Sequence, residues 1–212
     1  MFSRIFCREF NIRFTSPAAN ICSLCTRLRH NIKSEKDAKK KSDLIVELRI
    51  HRKRSKAFYD LAKENPPNSI TFCFNMQQVQ PLPRTPISDS FYSHQVSLYV
   101  FCCVGMDSNF PTFYIWTEDL DGRGSVEIGS ALLAHLDTLD YEGIKVLRLF
   151  CDGCGRQNKN SHVIHALYHW LKVKSPKGVE EIQVTYPVRG HSFLPADRVF
   201  GRIEKTHEKI RR

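Results

Sequence analysis

Three acidic side chains occur where a metal-dependent phosphoryl-transfer site would need them. Asp152 directly follows the apolar segment KVLRLFC, Glu127 lies in GRGSVEIGS, and Asp197 lies in PADRVFGRIEK. Carboxylates from separate elements are ligands that Mg²⁺ and Mn²⁺ prefer, and two such ions can bracket the phosphorus under attack. These residues predict a Mg²⁺- or Mn²⁺-dependent phosphoryl-transfer site, such as that of a nuclease. Glu204, two helical turns after Asp197, is a further ligand candidate.

A fourth position of such a site holds an amide. Asn75 lies in ITFCFNM, the first predicted strand, where the same chemistry needs an aspartate. A neutral amide oxygen is a weaker ligand than a carboxylate, so metal affinity and charge compensation should both be lower. Asp89, the nearest acid downstream, lies in the PLPRTPISDS loop and is not expected to substitute for it. The site is therefore expected to be weakly active or inactive.

Each of these residues also has an ordinary structural role. Asp152 begins an Asp-Gly pair, which is common in turns. Glu127 and Asp197 lie in predicted first turns of helices, where the helix dipole favours an acidic side chain. His191 either assists proton transfer to a leaving group or packs within a loop. Only a fold that gathers them makes a catalytic set of Asn75, Glu127, Asp152, His191 and Asp197.

The order of the predicted elements after residue 68 indicates the fold class. Segments rich in β-branched and aromatic residues predict strands, and apolar residues at helical spacing predict helices. In chain order there are three strands at 70–76, 95–104 and 112–118, a helix at 125–139, a strand at 145–151, a helix at 161–173, a strand at 181–187, and a helix from 195 onward. This βββαβαβα order predicts an α/β protein with an RNase H-like mixed sheet, in which an antiparallel meander is extended by two parallel strands.

The positive charge of the chain is concentrated before this domain. Residues 1–68 hold 16 Lys and Arg against 7 Asp and Glu, a net charge of +9, whereas residues 69–212 hold 16 against 15, a net charge of +1. Residues 33–64 contain neither Gly nor Pro and predict a long helix, broken once, that ends at the NPPN segment. The sequence thus predicts a basic helical arm at 1–68 and an RNase H-like domain at 69–212. Such an arm suits the phosphates of nucleic acid, with DNA as the first expectation, or is simply a solvated helix.

Polar and basic residues in two later segments are candidates for contact with nucleic acid. Amides and cations of this kind bind phosphates or base edges. The candidates in RQNKN and YPVRGH are Arg156, Gln157, Asn158, Lys159 and Arg189. Asn160, the last residue of the first segment, is instead expected to cap the following helix.

One cysteine pair has the spacing of zinc ligands. Cys22 and Cys25 form a CxxC pair, which supplies half of a tetrahedral Zn²⁺ site because such thiolates can share one ion. No second CxxC follows at finger spacing. His30 and His51 are alternatives for the third ligand, and the fourth would be Cys7 or a residue elsewhere.

The remaining cysteines indicate a cellular compartment. The chain has eight cysteines without regular spacing, several of them inside apolar runs such as VFCCV. This pattern is not a disulfide framework and is typical of a reducing compartment. No apolar stretch of about 18 residues is present, so no membrane partner is expected. We expect a nuclear or cytoplasmic protein of unknown oligomeric state, with mitochondrial import as an alternative because residues 1–14 are Arg-rich.

Four strings resemble successive blocks of an uncharacterised domain-of-unknown-function family: FNMQQVQPLPRTPISDSFYSHQ, WTEDLDGRGSVEI, CDGCGRQNKN and YPVRGHSFLPADRVFGRIEK. Its members are transposon-related proteins that are abundant in arthropod genomes. The arm resembles the family through NICSLC and ELRIHRKRSKAFYDL, so the likeness covers nearly the whole chain. The resemblance implies a transposon-derived, RNase H-like protein. It also supports Glu127, Asp152, His191 and Asp197 as site residues.

Two positions depart from the family pattern. Asn75 stands where members usually have Asp, and Arg156 stands where they usually have the second Gly of D-x-C-G-G-Q-N-K-N. The arginine adds bulk in a loop where backbone would approach a phosphate. We therefore favour a transposase-derived nucleic-acid-binding protein with a degenerate two-metal site. The alternatives are an active metal-dependent nuclease or transposase fragment and a zinc-stabilised protein-interaction module.

Overall fold

The computed structural model describes residues 21–83, 85 and 93–210, without the side chains of 207–210. The chain divides into two compact units, residues 1–48 and 49–212. Three features named above lie outside the described residues, namely Cys7, Asp89 and the Arg-rich segment at 1–14.

Two helices precede the sheet. Helix α1 spans Ser23–Ser34 and helix α2 spans Ala38–Lys63. Between them, Asp37 Oδ1 accepts a hydrogen bond from Lys39 N at 2.8 Å and so satisfies one N–H group at the start of α2. The helix expected over 33–64 is thus broken once, at 35–37, and it ends before the NPPN segment because proline cannot continue a helix.

The C-terminal half of α2 belongs to the unit that holds the sheet. Phe58 is buried and packs edge-on against Phe150 of the sheet, with ring centroids 5.5 Å apart. The buried Arg148 donates to the main-chain carbonyls of Leu61 and Glu64, both at 2.9 Å. Carbonyls at a helix end lack a full set of partners within the helix, so the guanidinium satisfies them. This packing explains why the second unit begins inside α2 and not at residue 69.

The described residues form one mixed sheet of six strands. They are β1 Ser69–Met76, β2 Gln80–Leu82, β3 Val96–Gly105, β4 Pro111–Thr117, β5 Val146–Cys151 and β6 Glu181–Thr185. β1 lies between β3, to which it is antiparallel, and β5, to which it is parallel. β4 is antiparallel to β3, β6 is parallel to β5, and the short β2 pairs with the start of β3. This order confirms the predicted α/β class and is compatible with an RNase H-like fold.

Helices cover both faces of this sheet. The later helices are α3 Ser125–Leu136, α4 Ser161–His169 with a π-helical turn at Trp170–Lys174, and α5 Pro195–Ile210. α3 and α4 pack on the face that carries Phe72 and Phe74. α5 and the end of α2 pack on the opposite face, which carries Cys73 and Phe150. Because side chains alternate along a strand, Asn75 shares the face that α5 covers.

One helix end agrees with the sequence prediction, and the helix lengths bear on membrane crossing. Asn160 caps α4 as predicted, since its Oδ1 accepts a hydrogen bond from Val163 N at 3.0 Å. Within the described ranges, no helix is both long and apolar enough to cross a membrane.

Candidate functional site

Asn75, Asp152 and Asp197 lie toward one edge of the sheet, and we call this group of residues the amide–carboxylate pocket. Strands β1 and β5 are parallel, with Phe74 opposite Cys151, so the next residue of each strand lies at the same sheet edge. Cys151 points into the core on the α3 face. Asp152, one residue later, therefore points to the α5 face together with Asn75.

A hydrogen bond joins Asn75 to the first turn of α5. Asn75 is 9% exposed, and its Nδ2 donates to Asp197 Oδ1 at 2.8 Å. The other carboxylate oxygen, Oδ2, accepts a hydrogen bond from Leu194 N at 2.9 Å. The Oδ1 of Asn75 accepts from Met76 N at 2.9 Å. The amide therefore presents a donor to Asp197, where an aspartate at position 75 would present a second negative oxygen.

The two carboxylates of the pocket influence each other. Burial raises the pKa of Asp197, and the charge of Asp152 raises it further, whereas hydrogen bonds from Leu194 N and Asn75 lower it. The strand register agrees with this influence, because it places Asp152 at the same sheet edge as Asn75, the partner of Asp197. Either acid could contribute to cation binding, and Asn75 weakens that capacity.

The loop after β5 holds Asp152 in position. Asp152 Oδ1 accepts hydrogen bonds from Cys154 N, at 3.1 Å, and from the Nδ2 of Asn158. Asn158 is completely buried, and its main-chain oxygen accepts from Tyr186 OH at 3.3 Å. Asn158 was expected to contact nucleic acid. Its burial instead gives it the role of orienting Asp152.

Glu127 lies apart from this pocket. It is in the first turn of α3, on the opposite face of the sheet, and its Oε2 accepts a hydrogen bond from Gly124 N at 2.6 Å. This carboxylate satisfies a main-chain N–H at the start of the helix. The contacts of Glu127 therefore agree with its alternative role as a first-turn acid. The structure does not bring Glu127 to Asp152. Glu204 is exposed and lies on α5, with its Oε1 3.5 Å from Gln77 Nε2.

Two basic side chains lie beside Asp152. A surface pocket of about 620 Å³ is lined by Asp152, Lys159, Tyr186, Arg189 and the intervening loop backbone. Lys159 and Arg189 are exposed, and the Lys159 ammonium lies 5.2 Å from the centre of the Tyr186 ring. Two of the five predicted nucleic-acid contacts are thereby brought together. We call this surface the basic pocket.

The other two candidates in that loop differ from each other. Arg156 is exposed and does not line the basic pocket. Gln157 is half-buried, and its Nε2 lies 3.4 Å from Met76 Sδ. Gln157 therefore points inward, while Arg156 remains available at the surface.

His191 lies in the loop between β6 and α5 and contacts α2. Its Nε2 is 3.1 Å from the Nε2 of His51. Tyr59 OH donates to the main-chain oxygen of His191 and accepts a hydrogen bond from Phe193 N at 2.9 Å. Burial and the nearby His51 and Arg52 lower the pKa of His191. His191 thus contacts two residues of α2. The predicted role in proton transfer did not include these contacts.

Four soft donors form a cluster. The ligand atoms of Cys22, Cys25, His51 and His191 all lie within 4.8 Å of one another, and they could bind a metal such as zinc. Within the described part of the chain, it is the one group of three or more His, Cys, Asp or Glu side chains close enough to share a metal ion. His30, the alternative third ligand, is exposed and not part of it.

The strand cysteines have a different chemistry. Burial raises the pKa of Cys73 and of Cys102 to about 12. Burial also raises the pKa of Cys103 and Cys151. These thiols stay protonated at neutral pH, so they behave as small apolar side chains in the core.

A family comparison covers most of the second unit. Residues 92–211, more than half of the chain, match the family described as Domain of unknown function (DUF7869). The chain belongs to this family. The match includes Asp152, His191 and Asp197 of this DUF7869 protein, whereas Asn75, His51 and the CxxC pair precede it. No curated protein and no solved structure matches the chain.

Sequence reasoning missed one role in this DUF7869 protein. The partnership of His191 with His51 was not predicted, because 140 residues separate them and neither lies in a local metal motif. The position of Glu127 at a helix start was one of its two predicted roles, since an acid in a first turn is a known local pattern.

Proposed function

We propose that this protein is a transposase-derived nucleic-acid-binding protein whose RNase H-like site is degenerate. The hydrogen bond from Asn75 Nδ2 to Asp197 Oδ1 carries the proposal. A two-metal site needs anionic oxygens at both positions, so that a cation lies between them. Here the partial positive charge of an amide N–H group takes the place of the cation. Asp152 and Asp197 keep their positions, while the third anionic ligand is missing.

The surroundings of the pocket support contact with a phosphate backbone. Lys159 and Arg189 lie within the same surface pocket as Asp152. Four exposed cations of α2 also belong to the second unit, namely Arg52, Lys53, Arg54 and Lys56. Cations that replace counterions around phosphates bind nucleic acid without sequence preference. DNA is the partner that we propose, in keeping with a transposase origin.

The two metal chemistries in this proposal are distinct. Mg²⁺ or Mn²⁺ is proposed for the amide–carboxylate pocket, with low affinity because one ligand is neutral. The cysteine and histidine cluster suits Zn²⁺, since thiolate and imidazole donors are softer than carboxylates.

Restoring the missing charge tests the degenerate site. We expect the wild-type chain to nick supercoiled plasmid slowly or not at all with Mg²⁺ or Mn²⁺, and Asn75→Asp to gain metal-dependent nicking. Asn109→Asp is the matched control, because it adds the same charge at an exposed turn between β3 and β4, where aspartate also tolerates the positive φ of 53°.

Two results would contradict the proposal. Strong nicking by the wild-type chain would favour the active nuclease instead. An Asn75→Asp variant that folds but neither binds Mn²⁺ nor nicks DNA would show that the pocket is not a relic of a two-metal site.

A further inference from the structure

A cavity of about 250 Å³ lies within the second unit and is lined by the end of α2, the centre of the sheet, the turn after β3 and the start of α5. We call it the aromatic cavity, and we propose that it binds a small aromatic carboxylate, with the ring inside and the carboxylate at the mouth. None of its lining residues belongs to the amide–carboxylate pocket or lines the basic pocket. The inference therefore does not depend on the proposed nucleic-acid function.

The floor of the aromatic cavity is apolar. Phe58, Phe150 and Leu194 line it and are each no more than 5% exposed. Cys73 is completely buried there, and burial raises the pKa of its thiol to about 12, so the side chain is uncharged at neutral pH. Such a lining favours the transfer of an apolar group from water, because the contacting surfaces leave the solvent together.

The walls hold aromatic rings in an edge-to-face arrangement. The ring of Phe58 is close to perpendicular to that of Tyr59, with centroids 5.3 Å apart, and it meets Phe150 at 72° and 5.5 Å. Phe193, which is 48% exposed, adds a further ring to the lining. Its main-chain N donates to Tyr59 OH at 2.9 Å and so joins the loop before α5 to α2. Edge-to-face contacts with these rings favour an aromatic ligand over an aliphatic one.

The volume of the cavity limits the ligand to a single ring. An apolar cavity of about 150 Å³ admits benzene. The aromatic cavity, at about 250 Å³, therefore holds one ring and a short side chain. A whole nucleotide, which has a sugar and a phosphate besides its base, is larger than this ligand.

The charges at the mouth favour an anion. Lys63 and Arg198 are exposed, and within the described residues neither forms an ion pair with a carboxylate. Of the two acids in the lining, Glu64 is paired with Arg148 at 3.3 Å, which leaves Asp107. Two cations against one acid give the unpaired groups a net charge of +1. Arg198 also lies in the first turn of α5, where the helix dipole disfavours a cation and favours a bound carboxylate.

Titration of the full chain with phenylacetate tests the ligand class. We expect one site with a dissociation constant on the order of 1 mM, which suits a ligand of this size. Methyl NMR should show ring-current shifts at Ala62, Met106 and Leu194, which line the cavity, and none at Leu132, which is buried on the opposite face of the sheet. The neutral phenylacetamide should bind about fivefold more weakly, because it cannot form ion pairs at the mouth. Acetate, which has no ring, should not bind measurably.

Charge variants test the mouth without altering the floor. The double variant Lys63→Gln with Arg198→Gln should weaken phenylacetate binding about fivefold, to the level of the amide. Arg202→Gln with Lys205→Gln is the matched control, because it removes two exposed cations of α5 that lie outside the cavity lining. This control should bind phenylacetate as the wild-type chain does.

The proposal is overturned if the lining methyl groups do not shift, if Leu132 shifts equally, if the amide binds as tightly as the carboxylate, or if the control variant loses as much affinity as the mouth variant. Thymidine monophosphate that binds more tightly than phenylacetate at the same methyl groups would assign the cavity to a nucleotide and would also overturn the carboxylate. Plasmid nicking by Asn75→Asp does not involve this cavity, so the two proposals fail separately.

Discussion

At the scale of single residues, the amide of Asn75 affects both the chemistry and the energetics of the amide–carboxylate pocket. The Asn75 amide stabilises a carboxylate that burial disfavours, because its hydrogen bond lowers the pKa of Asp197 against the effect of burial. A protein with aspartate at this position would carry repulsion between neighbouring acids until a cation binds. The amide thus favours the metal-free state of the pocket.

Asn75→Asp is therefore expected to destabilise the metal-free protein at neutral pH. The loss should be about 1–3 kcal/mol, since a buried charge loses its donor and gains an anionic neighbour. The carboxyls at positions 75 and 197 of the variant should have higher pKa values in the folded than in the unfolded state. Stability is then lost as pH rises through those folded-state pKa values, so the loss in free energy of unfolding relative to wild type should become smaller in acid. Urea unfolding at acidic and neutral pH, with and without Mg²⁺, measures this. If the variant is destabilised equally in acid and at neutral pH, and Mg²⁺ does not change the difference, the two carboxylates do not repel each other.

At the scale of elements, the loop between β6 and α5 depends on one glycine. Gly190 has a φ of 80°, a conformation that side chains with a Cβ rarely adopt. The turn lets Arg189 line the basic pocket while His191, two residues later, contacts α2. A short segment can therefore serve two sites.

Two glycine substitutions should act in opposite directions. Gly190→Ala should lower the free energy of unfolding by about 1–2 kcal/mol, because a residue with a Cβ is strained at positive φ. Gly201→Ala, inside α5, should raise the free energy of unfolding by about 0.5–1 kcal/mol. Glycine weakens helices, and a Cβ at this position meets nothing within 4 Å. Thermal unfolding of both variants decides this. Similar shifts for the two would mean that the loop does not need its left-handed residue.

At the scale of the whole molecule, the sheet and α5 of the second unit bring three polar residues from distant segments together. The parallel pairing of β1 with β5 places Asn75 and Asp152 at one sheet edge, and α5 brings Asp197 to Asn75. Lys159 and Arg189 line a pocket with Asp152, where they could replace the counterions around a phosphate backbone. The proposed function therefore predicts binding of nucleic acid with little or no cleavage.

Binding of a DNA duplex should depend on salt through the basic pocket. The double variant Lys159→Ala with Arg189→Ala should lower the slope of log K against log salt by about 1 for each lost contact. Lys145→Ala with Lys177→Ala is a control of equal charge, since Lys145 precedes the opposite end of β5. Fluorescence anisotropy over a salt series measures both slopes. Equal slopes for the two double variants would exclude the basic pocket as the phosphate contact.

The sequence by itself determined most of the elements and their order, because these depend on neighbouring residues; the start of α1 and the short β2 were not predicted. Apolar runs gave the strands, the NPPN segment ended α2, and Asn160 capped α4. The order then limited the sheet to an antiparallel meander with two parallel additions, because such crossovers have few arrangements.

Only the tertiary structure decided which side chains meet. Asn75 and Asp197 are 122 residues apart, and His51 and His191 are 140 apart. No local pattern encodes such pairs, since they depend on strand register and on the helix that covers each face. The same fold placed Glu127 on the other side of the sheet, although its local sequence resembled a site segment. Side-chain direction and register, rather than residue type, separated ligand candidates from capping residues.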